Sequence, residues 1–401
     1  MSYQNVASCR FYIDYFSYWK SVGLIHALKS YTNNGNKHEG YYIGLNPSLN
    51  TTISQDTNLL DPDLSGDSFQ VSVDLKQAIP NRALESINFS GVLGTNINQY
   101  SQNINSCYAQ FTASAMNDLN SAIGDDTLMG NIIPPDTNSD IINAESNVSN
   151  WVIGNKGFSL SKTEFESTEN YNDLEDGVDR FNFLIKWMNQ DTEMNIEDGK
   201  SWNLNCLLMG HYYDMPRTPD LNLTMTTEFD GFDQLTTQGG ATITNVRYTG
   251  NPSWAGSNAW EIIPPNQSSN PYYKRNGRRT WKLKFSYLSD TDIFASNYST
   301  TNWLSNTTNY TTHNEYSNNS DVVSNPNGEG DVFSYTLVDD DSFAAKVLNF
   351  IGSGQRFVFQ SDNTNNNPDQ FAICILDQDS LVVKQTASNV YDVSMKIVEV
   401  W

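Results

Sequence analysis

Six basic residues between positions 274 and 284 are the most distinctive chemical feature of this 401-residue chain. They are Lys274, Arg275, Arg278, Arg279, Lys282 and Lys284. The whole chain has 23 Lys and Arg against 46 Asp and Glu, so a local excess of positive charge is unusual. Such a cluster can meet an acidic surface of a neighbouring subunit, contact DNA, or form a solvated strand face. We favour the subunit interface, and DNA contact ranks last because no nucleic-acid-binding motif accompanies the cluster.

Tryptophans in or beside predicted loops are a second candidate site. They are Trp151, Trp254 and Trp260. An exposed indole ring can stack on a sugar ring, which would suit a protein that binds a glycan. The alternative is that each indole fixes its loop to the core of its own domain. For any one of these tryptophans, the second interpretation is favoured.

Residues that could perform catalysis or hold a metal form no recognisable set. The four histidines are scattered, and the sequence contains no HExxH, GxSxG or P-loop motif. Asp339, Asp340 and Asp341 could bind a cation, but a helix N-terminus also favours negative charge without metal. We therefore expect a protein that is not an enzyme and that has no cofactor or metal.

The basic cluster runs into a stretch of strict alternation from Thr280 to Leu288, which predicts a half-buried β-strand. The inner face of this strand would carry Trp281, Leu283, Phe285 and Tyr287. Its outer face would carry Lys282 and Lys284. Ser289 then introduces turn chemistry that ends the strand.

One amphipathic helix is predicted near 341–352. Asp341 or Ser342 can cap its N-terminus, and Gly352 or Gly354 can end it. Its buried stripe would consist of Phe343, Val347, Leu348 and Ile351. Further strands follow, and alternation from Tyr391 to Ile397 predicts the last of them.

The first residues of the chain predict a short strand and a short helix. Arg10–Ile13 has the composition of a strand, and Asp14 can cap a helix that runs through Val22 and stops at Gly23. The apolar face of that helix would consist of Tyr15, Trp19 and Val22.

Short alternating strands separated by Asn, Gly and Asp turns predict an all-β protein. We divide the chain into an N-terminal arm at 1–60, a jelly-roll-like β-sandwich at 61–215 and a β-sheet domain with one packed helix at 216–401. The Pro-punctuated stretch Tyr212–Asp220 marks the second boundary. The strands predicted for the sandwich include Phe69–Leu75, Ile87–Leu93, Ser106–Ala113, Phe181–Trp187 and Trp202–Leu208.

Composition narrows the class of function. Charged residues make up 17% of the chain and the formal net charge is -23, so Asn, Ser and Thr carry most of the polar surface. Such a protein should be soluble and should repel nucleic acid and anionic membranes over its general surface. The N-terminus lacks a secretory-signal pattern, and no apolar run reaches membrane-spanning length. The four cysteines are far apart and are expected as free thiols.

The order of elements in the last part of the chain resembles the tail-tube-type domain of tailed bacteriophages. That order is an aromatic strand with a basic outer face, a long loop, one helix, a Gly-rich stop, an apolar strand and a terminal strand. The stretches that carry the resemblance are GHYYDMPRTPDL, GRRTWKLKFSYLSD, NNNPDQFAIC and VYDVSMKIVEVW. The resemblance covers His211–Trp401, and this part of the chain is similar to uncharacterised tail proteins of marine phages. The preceding sandwich resembles the galactose-binding-like jelly rolls of phage tail proteins.

This resemblance implies a structural virion protein, made in the cytoplasm of a bacterial host and located in the tail. It would form a ring with copies of itself, commonly six-fold, in the distal tail or baseplate. DNA would pass through the ring as cargo, and other tail or baseplate proteins would be its partners. A glycan-binding adhesin or carbohydrate-binding module that contacts host surface glycan is the alternative. Channel linings in this family tend to be acidic, so Lys282 and Lys284 indicate either a face outside the lining or a module that differs from ordinary tube components.

Overall fold

The computed structural model describes residues 7–32, 68–79, 87–93, 107–114, 128–132, 158–162, 165–166, 178–187, 206–228, 232–246, 253–254, 257–258, 278–294, 342–352, 354–365 and 370–400. The strands are β1 (Arg10–Asp14), β2 (Ile25–Thr32), β3 (Ser68–Ile79), β4 (Phe89–Leu93), β5 (Cys107–Ser114), β6 (Leu128–Ile132), β7 (Phe158–Lys162), β8 (Phe165–Glu166), β9 (Val178–Trp187), β10 (Cys206–Asp214), β11 (Thr224–Glu228), β12 (Phe232–Thr236), β13 (Thr242–Val246), β14 (Ser253–Trp254), β15 (Ser257–Asn258), β16 (Arg278–Leu288), β17 (Phe357–Gln360), β18 (Phe371–Leu376), β19 (Val382–Ala387) and β20 (Val390–Glu399). The helices are α1 (Tyr15–Ser21), α2 (Asp290–Ile293) and α3, which joins a π-helical stretch, Ala344–Leu348, to an α-helical turn, Asn349–Ile351. The predicted all-β class is confirmed.

Ten of these strands form one large antiparallel sheet. Their order is β11-β16-β20-β18-β17-β1-β10-β4-β7, and β19 pairs with β20. A second sheet has the order β2-β3-β9-β5-β6-β8. The large sheet contains strands from all three predicted segments of the chain, since β1 lies between β10 and β17. As domain boundaries, residues 60 and 215 stay predictions, but hydrogen-bonded strand pairs cross both of them.

The N-terminal strand and helix are confirmed, and both are central to the fold. All five residues of β1 are buried, because the large sheet is covered on both faces at this strand. Phe11 packs against Phe343, Phe357 and Phe359 on one face. Asp14 caps α1 by accepting hydrogen bonds from the backbone N–H groups of residues 16 and 17, and Gly23 follows with a φ of 72°. The prediction that Val22 shares the buried face is wrong, because its side chain is 50% exposed.

Strand β16 buries the predicted aromatic face except at its end. Trp281, Leu283 and Phe285 are buried as predicted. Tyr287 was predicted on the same face, and this prediction is wrong: its side chain is 76% exposed. A β-bulge between Phe285 and Leu288 shifts the alternation by one residue, so Leu288 enters the core in its place. Tyr287 carries the bulge with a φ of 63°, a left-handed conformation that is unusual for an aromatic residue.

The predicted helix near 341–352 is confirmed by α3. Its residues Phe343, Val347 and Ile351 are buried against the large sheet, and Leu348 packs at the margin of the same cluster. The Ser342 hydroxyl accepts a hydrogen bond from the backbone N–H of Ala345 at 3.2 Å, so Ser342 contributes to the start of the helix. The three consecutive aspartates at 339–341 lie outside the described residues.

Candidate assembly surface

Four strands of the large sheet lie side by side and share one polar face. Their order is β11-β16-β20-β19. The odd-numbered residues of β20 and of the first half of β16 are mostly buried, so the even-numbered residues point to the opposite face. Strand pairing brings Thr224, Lys282 and Lys396 into one row across this face. Lys284 and Ser394 begin the next row.

Lys282 is an exposed basic residue on this polar face. It lies at a shallow depression of about 420 Å³, whose lining also includes Asn222, Thr224, Gln378, Ser394 and Lys396. Lys396 is ion-paired with Asp377, and the hydrogen bond that its ammonium group donates to that carboxylate raises the pKa of Lys396. Among the described residues, no carboxylate forms an ion pair with Lys282. Lys282 is therefore available to meet an acidic partner.

Lys284 lies on the same face, but carboxylates of its own chain surround it. Its ammonium group is 3.1 Å from a carboxylate oxygen of Asp392 and 3.6 Å from one of Asp220. The hydrogen bond to Asp392 is the main reason that the pKa of Lys284 is raised. Asp220 also accepts a hydrogen bond from the Ser286 hydroxyl at 2.7 Å. Lys284 therefore contributes less net positive charge to this face than Lys282 does.

Arg279 faces the interior, not the polar face. It has the same strand parity as Trp281, and its guanidinium lies 5.0 Å from the centre of that ring. Its Nε donates to a carboxylate oxygen of Glu399 at 3.1 Å, and a terminal nitrogen donates to the carbonyl oxygen of Phe371 at 2.6 Å. The side chains of Arg279 and Glu399 are 9% and 1% exposed. Arg279 thus closes one end of the core as a buried ion pair and is removed from the surface of the single chain.

Of the other three members of the predicted basic cluster, one lies in β16 and two lie outside the described residues. Arg278 is half-buried at the start of β16, directly opposite Glu228 of β11. Lys274 and Arg275 lie outside the described residues. Alternation in β20 could have placed Lys396 on the polar side of its strand, but its position beside Lys282 depends on a strand pairing that the sequence does not reveal.

Both outer strands of this four-stranded region are exposed. All five residues of β11 are exposed, and so are five of the six residues of β19. Met225 of β11 pairs with Trp281, so it extends the apolar face of the sheet, yet its side chain is 59% exposed. Leu223, two residues earlier, is 37% exposed. Exposed, unpaired strand edges are sites at which another β-strand can add.

A hairpin made of β12 and β13 also stands in solvent. Its strands pair only with each other among the described strands, and its strand residues at 233–236 and 242–245 are exposed. Leu235 and Ile243 lie directly opposite each other and are 66% and 56% exposed. Together with the edge strand β11, this hairpin gives the described region after residue 220 an unusual amount of exposed apolar surface.

His211 is buried, and its contacts hold elements together. One ring nitrogen lies 2.8 Å from the hydroxyl of Tyr15 in α1, and the other contacts the carbonyl oxygen of Lys346 in α3. Burial lowers the pKa of His211 to about 3, so its ring is neutral near pH 7. Its position between α1 and α3 fits a structural role.

Most residues of the remaining predicted sites lie outside the described part of the chain. Trp151 and Trp260 lie outside the described residues, and only the backbone of Trp254, in β14, is described. The glycan contact therefore stays a prediction. Within the described ranges, no cluster of His, Cys, Asp or Glu side chains is arranged to hold a metal ion. No helix in those ranges is long and apolar enough to cross a membrane.

Comparison with known proteins gives no match: no family model, no curated protein and no solved structure is significantly similar to this chain.

Proposed function

We propose that this protein is a structural component of a bacteriophage tail, which assembles with copies of itself into a ring of the distal tail or baseplate. The observation that carries the assembly function is the exposed edge strand β11 beside a polar face with the basic residue Lys282. The attribution to a phage tail rests on the sequence resemblance, which covers the same region of the chain. Mixed polar and charged faces with exposed strand edges suit contacts between subunits.

In this proposal the described surface supplies two kinds of contact. Exposed strand edges supply backbone hydrogen-bond groups, which give affinity without requiring a particular side chain. Lys282 supplies charge complementarity, because an acidic chain with a net charge of -23 offers many carboxylates on a neighbouring copy. The ring would therefore be held by backbone pairing and oriented by a small number of charges.

The test compares the assembly of three proteins by sedimentation velocity: the unmodified chain, Lys282→Glu and Lys282→Gln. We expect the unmodified chain to sediment as one discrete oligomer. Lys282→Glu should lose that oligomer, because like charges placed across an interface are strongly unfavourable, whereas the neutral Lys282→Gln control should retain most of it. Circular dichroism should show both variants folded.

Two results would count against the proposal. A monomeric unmodified chain at all concentrations would remove the assembly function. Normal assembly of Lys282→Glu would remove the basic face from the interface and leave only the strand edges.

A further inference from the structure

Two free edges bound the four-stranded region β11-β16-β20-β19. Among the described strands, β11 pairs only with β16, and β19 pairs only with β20. Each strand therefore presents one row of backbone N–H and C=O groups away from its partner. Both strands are exposed, so no other described part of the chain covers these edges.

The directions of these strands allow one edge to pair with the other. All three pairings in the region are antiparallel, so β11 and β20 run one way while β16 and β19 run the other. If a second copy is placed beside the first in the same orientation, its β11 lies antiparallel to the β19 of the first copy. Repetition of this contact joins copies head to tail, which is the kind of contact that closes into a ring.

Charge fixes the register of such a pairing. Glu228 is the one charged residue of β11, and Lys384 is the one charged residue of β19. Both point to the polar face, because Glu228 lies opposite Arg278 and Lys384 lies opposite Asp392. An antiparallel pairing that places Glu228 opposite Lys384 also places Thr227 opposite Gln385, and both of these residues point to the apolar face because they pair with Arg279 and Tyr391 of their own chain.

We propose that copies of this chain join by antiparallel pairing of β11 of one copy with β19 of the next, with Glu228 opposite Lys384. In this register Thr227 lies opposite Gln385 on the apolar face, next to the β-bulge of β19 between Gln385 and Ala387. The pairing thus joins backbone N–H and C=O groups at two strand edges that the single chain leaves exposed. This inference rests on the proposed function, since it names the contact by which the ring forms.

The experiment is a disulfide trap between Thr227→Cys and Gln385→Cys, which lie opposite each other in the regular part of the proposed pairing. Directly opposed residues of an antiparallel pair have Cβ atoms roughly 4.5–5.5 Å apart, which is close enough for small adjustments to allow a disulfide. Mild oxidation of the double variant should give a ladder of covalent multimers on a non-reducing gel. Each single variant, oxidised in the same way, should remain a monomer on the gel and is the matched control.

Charge reversal gives a second readout of the register. Glu228→Lys and Lys384→Glu should each reduce the oligomeric fraction by about tenfold or more, and the double reversal should restore it. A restored double variant supports the register more directly than either loss, because a fold defect would not be repaired by a second mutation.

The outcomes separate this inference from the function it rests on. Oligomers that form normally but give no ladder would overturn the edge pairing and leave the ring intact. Cross-linking of Thr227→Cys alone would instead indicate a two-fold contact of β11 with β11 and would also overturn it. A chain that stays monomeric would remove the proposed function itself.

Discussion

The buried ion pair between Arg279 and Glu399 predicts a large loss of stability when Arg279 is replaced. From the sequence alone, Arg279 is predicted at an interface, where its replacement would affect assembly instead. The variant is Arg279→Met, which keeps most of the side-chain volume and removes the charge. Glu399 would then be left as a buried carboxylate, with 1% of its side chain exposed. Removing one partner of a buried ion pair costs about 3–5 kcal/mol of the free energy of unfolding.

The size of this effect follows from the hydrogen bonds that the buried Glu399 carboxylate would lose. Glu399 now accepts from the Arg279 side chain at 3.1 Å at each of its two oxygens, and from the Arg279 backbone N–H at 3.0 Å. The substitution would remove both side-chain contacts and keep the backbone contact. The double variant Arg279→Met with Glu399→Leu should recover most of the lost stability, because an apolar pair of similar volume is often as stable as the ion pair.

Urea unfolding followed by tryptophan fluorescence measures this effect, and Trp281 lies directly beneath the guanidinium. Lys282→Met is the matched control on the neighbouring, exposed position and should change the free energy of unfolding by less than about 0.5 kcal/mol. Equal stability of Arg279→Met and the unmodified chain would refute the internal role of Arg279. Failure of the double variant to recover would refute the energetic reasoning.

Four further predictions concern the central strands and the bulge. Gly210→Ala should destabilise the fold by more than about 2 kcal/mol, a cost typical of overpacking a core. The added Cβ would overlap the backbone carbonyl oxygen of Ile13. Thermal unfolding measures the loss of stability. The pKa of His211 is lowered to about 3, so its contribution to stability is present above pH 6.5 and is lost as the pH falls toward 3. Between pH 6.5 and 4.5 this loss should amount to about 2–3 kcal/mol of the free energy of unfolding. His211→Gln should reduce the loss, and urea unfolding at each pH measures it. Burial raises the pKa of Asp14 to about 6, so its contribution to stability is present below pH 3.8 and is lost as the pH rises through 6. Asp14→Asn can still cap α1 and should remove this loss. The stability of that variant should therefore fall more steeply on acidification than the stability of the unmodified chain. Tyr287→Gly should stabilise the chain by up to about 1 kcal/mol, because glycine adopts the left-handed φ without strain, and an unchanged unfolding midpoint would refute that explanation.

Alternation predicted the strands well where one face of a strand is buried. The predicted strands at 69–75, 87–93 and 181–187 correspond to β3, β4 and β9. The prediction failed at Tyr287 because a bulge adds one residue to β16, and no glycine or proline marks that position. Arg279 could have been placed correctly from the same alternation, since its parity matches Trp281. The prediction instead grouped Arg279 with the other basic residues by charge and assigned it to an interface.

Long-range pairing was the part of the fold that the sequence could not predict. β1 pairs with β17, whose residues lie almost 350 positions later, as in the hydrogen bond from Tyr12 to Gln360. Nothing in the composition of Arg10–Asp14 identifies those partners. For the same reason the sequence placed Lys282 on a polar face but could not show that Lys396 lies beside it, or that β11 and β19 are the outer strands of that region.

Negative-stain electron microscopy of the purified chain tests the central claim most directly. The assembly proposed here predicts closed rings of uniform size with rotational symmetry around a central opening, visible in class averages without any symmetry being imposed. Class averages that contain only single particles of one chain, at concentrations where the unmodified protein is folded, would contradict it.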